Sequence, residues 1–200
     1  MSTASAEGSP APRIPPLPPD QWGDDVRAGI AALRPAGATQ ELRRSQGGPR
    51  GINVLGTLAQ HPALMQAYHA FNGHILYTNS LEPRQRELLV LRVAARRGAE
   101  YEWRQHVHIA RDLGFSDSDI ERIAEGPHAA GWSPLDAAML RAVDELVADA
   151  EITDGTWAEL ADELDRHQLM DLVFTVGAYD LLAMAFKSFG VELDDDLAAS

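Results

Sequence analysis

Two hundred residues are enough for one domain with a continuous core and no covalent staples. No cysteine is present, which excludes disulfides, thiolate metal sites and thiol catalysis and fits a reducing, cytoplasmic compartment. Thirty acidic against seventeen basic side chains leave a formal charge of -13, which repels nucleic-acid phosphates and anionic lipid, so no nucleic acid and no membrane is expected as a partner.

Residues 1–19, MSTASAEGSPAPRIPPLPP, place six prolines between positions 10 and 19, which removes amide donors and predicts an extended arm, disordered or clasped to the surface. A short helix is expected from about Asp20 to Leu33, followed by an irregular connection through RPAGATQELRRSQGGPRG, the two together filling residues 20–60. Over residues 61–193 helical periods dominate, and no alternating β-branched run bounded by hairpin turns occurs. The fold class is therefore all-α.

HPALMQAYHAFNGHILYT carries Pro62 at a first helical position and sets Leu64, Tyr68, Phe71 and Ile75 on one stripe. Pro83 opens PRQRELLVLRVAARRG, in which Leu88, Leu91 and Ala95 share a face and Gly98 ends the helix. The next helix runs from about Ala99 to Leu113. Ser116 and Asp119 have capping-box spacing for a short helix ending at Gly126, and Ser133 with Pro134 starts another. Thr153 caps a helix around DGTWAELADEL, and Asp165 with Gln168 begins the last long one, which stops at Gly190. That helix holds the most apolar stretch, LMDLVFTVGAYDLLAMAF, yet Asp171 and Asp180 lie inside it, so it reads as a buried helix rather than a membrane span. Residues 194–200 form an acidic tail.

The chemistry concentrates in EYEWRQHVHIA, residues 100–110. Glu102 and His106 stand four apart on one helix face, where a surface contact alone is worth only about 0.2 to 0.5 kcal/mol. Glu87 adds weight: it lies eleven residues before Gly98 and His106 eight after it, so antiparallel helices bring the two to similar heights. Glu87 also begins the apolar run ELLVLRVAA, where a carboxylate must find a partner, with Arg86 or Arg104 as the plain alternative to His106. Two carboxylates flanking one imidazole suit general acid/base work. A metal is not expected, because the set lacks a second histidine at useful spacing, and His108 faces nearly the opposite way. Tyr68 and His69 lie on a helix that can cover the pair and are pocket candidates; no phosphate loop, nucleophile elbow or dinucleotide fingerprint occurs.

RELLVLRVAARRGAEYEWRQHVHIA resembles the core motif of the carboxymuconolactone decarboxylase family within the AhpD-like superfamily, and the likeness continues through GWSPLDAAMLRAVDELVADAEITDGTWAEL and QLMDLVFTVGAYDLLAMAFKSFGVELD, over roughly residues 60–195. The resemblance implies an AhpD-like multi-helix bundle. Laid on the superfamily's thiol relay, the glutamate falls on Glu87, the two cysteine positions on Ala99 and Glu102, and the histidine on His106; with both sulfurs missing, peroxidase chemistry by that route is excluded.

The cysteine-free decarboxylase branch, which keeps YEW followed by histidine, is the closer likeness. It implies a cofactor-free lyase or isomerase acting by proton transfer on a small carboxylated or carbonyl-bearing molecule, with His106 as proton carrier and Glu102 and Glu87 orienting it and favouring its protonated form. Trp103 would supply an apolar wall, and Arg104 a substrate anchor. Members with this C-terminal half often carry asparagine where Asp180 and Lys187 stand; those two, seven apart, are expected to pair with each other or reach the site. The family also implies a homo-oligomer, trimer or hexamer. The alternative is a non-catalytic scaffold or small-ligand-binding member.

Overall fold

The computed structural model describes residues 11–36 and 51–198, among which there are helices and no strand. What the sequence predicts for residues 1–10, 37–50 and 199–200 lies outside the described residues. A 3-10 turn at Pro19–Gln21 precedes α1 (Asp24–Ala31), and then follow α2 (Ile52–Ala59), α3 (Pro62–Tyr77), α4 (Pro83–Arg97), α5 (Glu100–Asp112) and α6 (Asp117–Glu125). The chain continues with α7 (Pro134–Asp149), α8 (Asp154–Ala161), α9 (Arg166–Phe189) and a final turn, α10 (Asp195–Ala198).

The helix starts follow local chemistry. Prolines occupy the first turns of α3, α4 and α7, where the missing amide costs nothing. Ser116 with Asp119 and Asp165 with Gln168 close reciprocal capping boxes on α6 and α9, and Thr153 caps α8. The α4–α5 reversal depends on Gly98, which sits at φ +56°, a left-handed conformation that spares the chain a Cβ clash.

α4 is the axis of the fold. Its residues 86–94 are all buried, because α5, α6, α7 and α9 pack around it on every side. Leu88, Leu89, Leu91 and Val93 meet Met139, Leu140 and Val143 of α7 and Leu172 and Val176 of α9 in one continuous core. Arg92 is buried here too, and its fork is fully used: Nε and Nη2 reach Asp144 at 2.7 Å each, while Nη1 donates to the carbonyls of Ile123 and Ala124 at the end of α6. One side chain thereby ties α4 to α6 and α7.

The proline-rich arm runs extended across the surface over residues 11–18. The Arg13 amide donates to Phe189 O at 2.8 Å and the Leu17 amide to Gly56 O at 2.9 Å, while Trp22 Nε1 returns to Leu17 O. That approach explains the glycine inside α2, since a Cβ at Gly56 would lie 2.6 Å from Leu17 O. α2 itself falls in the stretch expected to be irregular.

Two apolar faces depart from expectation. On α3, Ile75 is buried, but Leu64 and Phe71 stand 51% and 37% exposed, because Met65, His69 and Asn72 supply the inward face. On α9, Leu172, Val176 and Tyr179 are buried as expected, whereas Met170, Phe174, Leu181 and Met184 point outward.

Candidate active site

The α4–α5 hairpin brings Glu87 and His106 together, as the spacing about Gly98 predicts. Glu87 Oε2 accepts from His106 Nδ1 at 2.6 Å, and both side chains are buried. The other carboxylate oxygen faces Arg86 Nε at 3.5 Å, and Arg86 is fixed in turn by donating to Leu76 O. Burial pushes the Glu87 carboxyl up, but the charge and hydrogen bond of His106 and the Arg86 guanidinium outweigh it and hold the group below its ordinary range. An ionised Glu87 on Nδ1 fixes the ring and leaves Nε2 as the nitrogen that can exchange a proton. The Tyr179 ring of α9 packs edge-on against the imidazole at 5.0 Å between centroids.

Glu102 behaves differently. It is buried one turn before His106, and neither carboxyl oxygen has a hydrogen-bond partner. The expectation that both glutamates hold His106 is therefore met by Glu87 alone. Burial, with the negative Asp180 adding to it, pushes the Glu102 carboxyl up to about 8, so it is protonated at neutral pH. Tyr68 of α3 points its own unpartnered, buried hydroxyl into the same region; burial and then the charge of Glu102 raise that phenol well above its ordinary range. Tyr179 is raised by burial first and then by the fields of Glu87, Tyr68 and Glu102, which places all these groups in one cluster.

Other sequence candidates divide. Trp103 lies half-buried against Ala94, Ala99 and Ala183. Arg104 is turned to the opposite side of α5, where its Nε pairs with Glu100 at 3.1 Å, so it is not brought to the cluster. His69 is buried against α1, with Nδ1 on Gly29 O at 2.9 Å, and burial lowers its affinity for a proton. Asp180 and Lys187 do not pair with each other: Arg97 Nη2 donates to Asp180 at 2.9 Å, and Lys187 donates to the Arg97 carbonyl. Both therefore close the end of α4.

Two contributors were not legible in the sequence. Tyr179 sits in a run of apolar residues that gives no polar signal, and Arg86 had appeared only as the plain partner of Glu87 rather than as a third member of its network. Among the described residues, no three His, Asp or Glu side chains converge to hold a metal.

Residues 62–145 match the model of the carboxymuconolactone decarboxylase family. No curated protein matches the sequence. Among solved structures, the chain is similar to an uncharacterized peroxidase-related protein from Ralstonia eutropha JMP134, described as an alkylhydroperoxidase AhpD core: TM-score 0.73, 20% identity, with 95% of this chain and 96% of that one covered. It is also similar to the debrominase Bmp8, at TM-score 0.68 and 13% identity over 93% of this chain and 94% of that one. A cysteine-to-alanine variant of that debrominase, in complex with 2,3,4-tribromopyrrole, aligns at TM-score 0.67 and 14% identity, covering 93% and 94%. At such identities these structures show an AhpD-like fold, while residues 62–145, which carry Glu87, Glu102 and His106 and no cysteine, are similar to the carboxymuconolactone decarboxylase family.

Proposed function

We propose that the chain is a cofactor-free proton-transfer enzyme, a decarboxylase-like lyase or isomerase whose substrate is a small carbonyl-bearing molecule. The observation that carries this is the opposite tuning of two neighbouring carboxyls: Glu87 held ionised on His106, Glu102 held neutral and unpartnered. In an isomerisation, His106 Nε2 takes a proton from the carbon beside the carbonyl while the Glu102 hydroxyl donates a hydrogen bond to the carbonyl oxygen, stabilising the enolate. The imidazolium then returns the proton to the conjugated carbon.

In a decarboxylation, the bond to the departing carboxylate breaks, its electron pair flows to the same carbonyl oxygen, carbon dioxide leaves, and protonated His106 supplies the carbon with a proton. Glu87 balances the positive ring in both cases. Thiol peroxidase chemistry has no nucleophile here.

The test is a mass-resolved screen of small unsaturated lactones and β-keto acids with the wild type, His106→Gln and Glu102→Gln. Turnover that His106→Gln lowers by about 100-fold or more supports the reading. Turnover undiminished in both variants sinks it, and wild type inert throughout the screen favours the ligand-binding alternative.

A further inference from the structure

One buried donor has no part in the proton transfer at His106. The Tyr68 hydroxyl of α3 is sealed from solvent and bonds to nothing, although it has two potential acceptors in its neighbourhood. Asn72 Oδ1, one turn further along the same helix, is itself buried and unpartnered, and Glu102 is near enough that its charge, once formed, reaches the phenol. The hydroxyl uses neither. A tyrosine that serves packing alone bonds its hydroxyl to the protein when buried, as Tyr101 does to Asp194 at 2.5 Å. Glu102 has the same deficit: protonated at neutral pH, it carries an O–H that donates to no group. Two sealed donors from different helices thus lack the same thing, and a single ligand oxygen lying between them would serve both.

We infer that the Tyr68 hydroxyl and the Glu102 carboxyl donate together to the carbonyl oxygen of the substrate, forming a two-donor oxyanion hole beside His106. The inference rests on the proposed function, in which Glu102 is the one donor named. When His106 takes the proton from carbon, the electron pair of that bond moves onto the carbonyl oxygen, and both hydrogen bonds tighten on the growing charge. Neither donor gives up its proton, and His106 alone carries the one that returns to carbon. Tyr68 keeps its own because burial holds the phenol well above its ordinary range, and any charge on Glu102 raises it further.

The fold sets the direction of this hydroxyl in advance. Met65, three residues before it, is fully buried among Val26 and Ala59, and His69, the next residue, is fixed on Gly29 O at 2.9 Å; together they set the rotation of α3 about its axis. At the end of the same helix, Leu76 O accepts from Arg86 at 3.1 Å, and that guanidinium also faces Glu87. α3 and the Glu87–His106 pair therefore share one brace, the rigid support that a preorganised donor needs.

The test replaces the enolate by a stable anion, 4-nitrophenolate, whose oxygen can accept both bonds and whose visible absorbance reports binding without turnover. Wild type should bind it at pH 7, and Tyr68→Phe about 10- to 100-fold more weakly, the worth of one hydrogen bond to a charged oxygen. Urea unfolding should find Tyr68→Phe no less stable than wild type, since the hydroxyl it removes has no partner in the free protein. With a substrate from the lactone and keto-acid screen, the same variant should lower kcat by about 100-fold or more and leave KM little changed. Equal nitrophenolate affinity in wild type and Tyr68→Phe would overturn the two-donor site, as would a wild type that does not bind the anion, and either result would leave the role of His106 standing. Binding that depends on Tyr68, in a protein inert throughout the screen, would support the two-donor site and count against the proton-transfer reading.

Discussion

Replacing Glu102 by glutamine tests the electrostatics of the site without any knowledge of the substrate. The folded carboxyl titrates near 8, against 4.5 when unfolded. Between those values the folded state binds a proton that the unfolded state releases, so stability falls as pH rises through that window and levels off above it. At pH 7 the gap of about 2.5 above the unfolded value, at about 1.4 kcal/mol each, makes Glu102 cost the fold about 3 kcal/mol, and above pH 8 about 5 kcal/mol. Glutamine keeps the shape and cannot ionise.

Urea unfolding from pH 4.5 to 9 should therefore show the Glu102→Gln curve rising away from wild type, by about 3 kcal/mol at pH 7. For a chain of this length a pH-dependent gain of that size is worth roughly 6 to 12 °C in melting point, before the constant cost of the amide is subtracted. The buried amide brings its own unpartnered donors, but that cost is constant with pH and only offsets the curves. Divergence is the observable. Parallel curves between pH 4.5 and 8 would mean that Glu102 is ionised in the fold, and the neutral-donor role would be lost with it.

Asp180→Asn removes the second cause of the Glu102 shift, so the carboxyl should titrate below 8 and the protonated-carboxyl infrared band should fade at lower pH than in wild type. If Glu102 must donate, activity should decline as pH rises through about 8, and Glu102→Gln should flatten that limb of the pH–rate profile. Glu87→Gln removes the anion that orients His106 and leaves Arg86 without its carboxylate; a stability loss of about 3 to 5 kcal/mol, measured by urea unfolding at pH 7, is expected from breaking a buried charge network. Arg92→Met should cost a similar amount, about 3 to 5 kcal/mol in the same assay, because the α6 carbonyls lose their donor and Asp144 keeps only Arg96, at 3.3 Å.

Much of the architecture was legible because it is written in local signals. Proline at first turns, Gly98 and Gly190 at helix ends and the Asp165–Gln168 box act within a few residues, so their reading needs no knowledge of the rest of the chain. Glu87 and His106 were legible for a related reason: one glycine turn fixes their relative height. α2 was not, because its Gly56 answers to the arm forty residues earlier rather than to its own helix. The inward stripe on α3 was misread for a similar cause: periodicity marks a face as apolar but cannot say whether the fold or a partner covers it, and Leu64 and Phe71 are left outside. Arg104 looked like an anchor by proximity in sequence, yet two residues along a helix turn a side chain to the far side.

Glu87 and Glu102 show why residue type alone did not assign the roles. Both are buried glutamates on a single helical hairpin, and burial raises the proton affinity of each. What separates them is company: Glu87 has an imidazole at 2.6 Å and a guanidinium at 3.5 Å, while Glu102 has the negative Asp180 as its electrostatic neighbour and no hydrogen bond at all. The chain contains cations that could have neutralised Glu102, and the fold spends them elsewhere, Arg104 on Glu100 and Arg97 on Asp180. An ionised carboxylate with a protonatable ring on one side and a neutral carboxyl on the other is what an enolate needs, a place to send a proton and a donor for the oxygen. On the proposed function Glu102 acts through the proton it keeps, so a substitution that gives it a cationic partner should abolish turnover while leaving the Glu87–His106 pair intact.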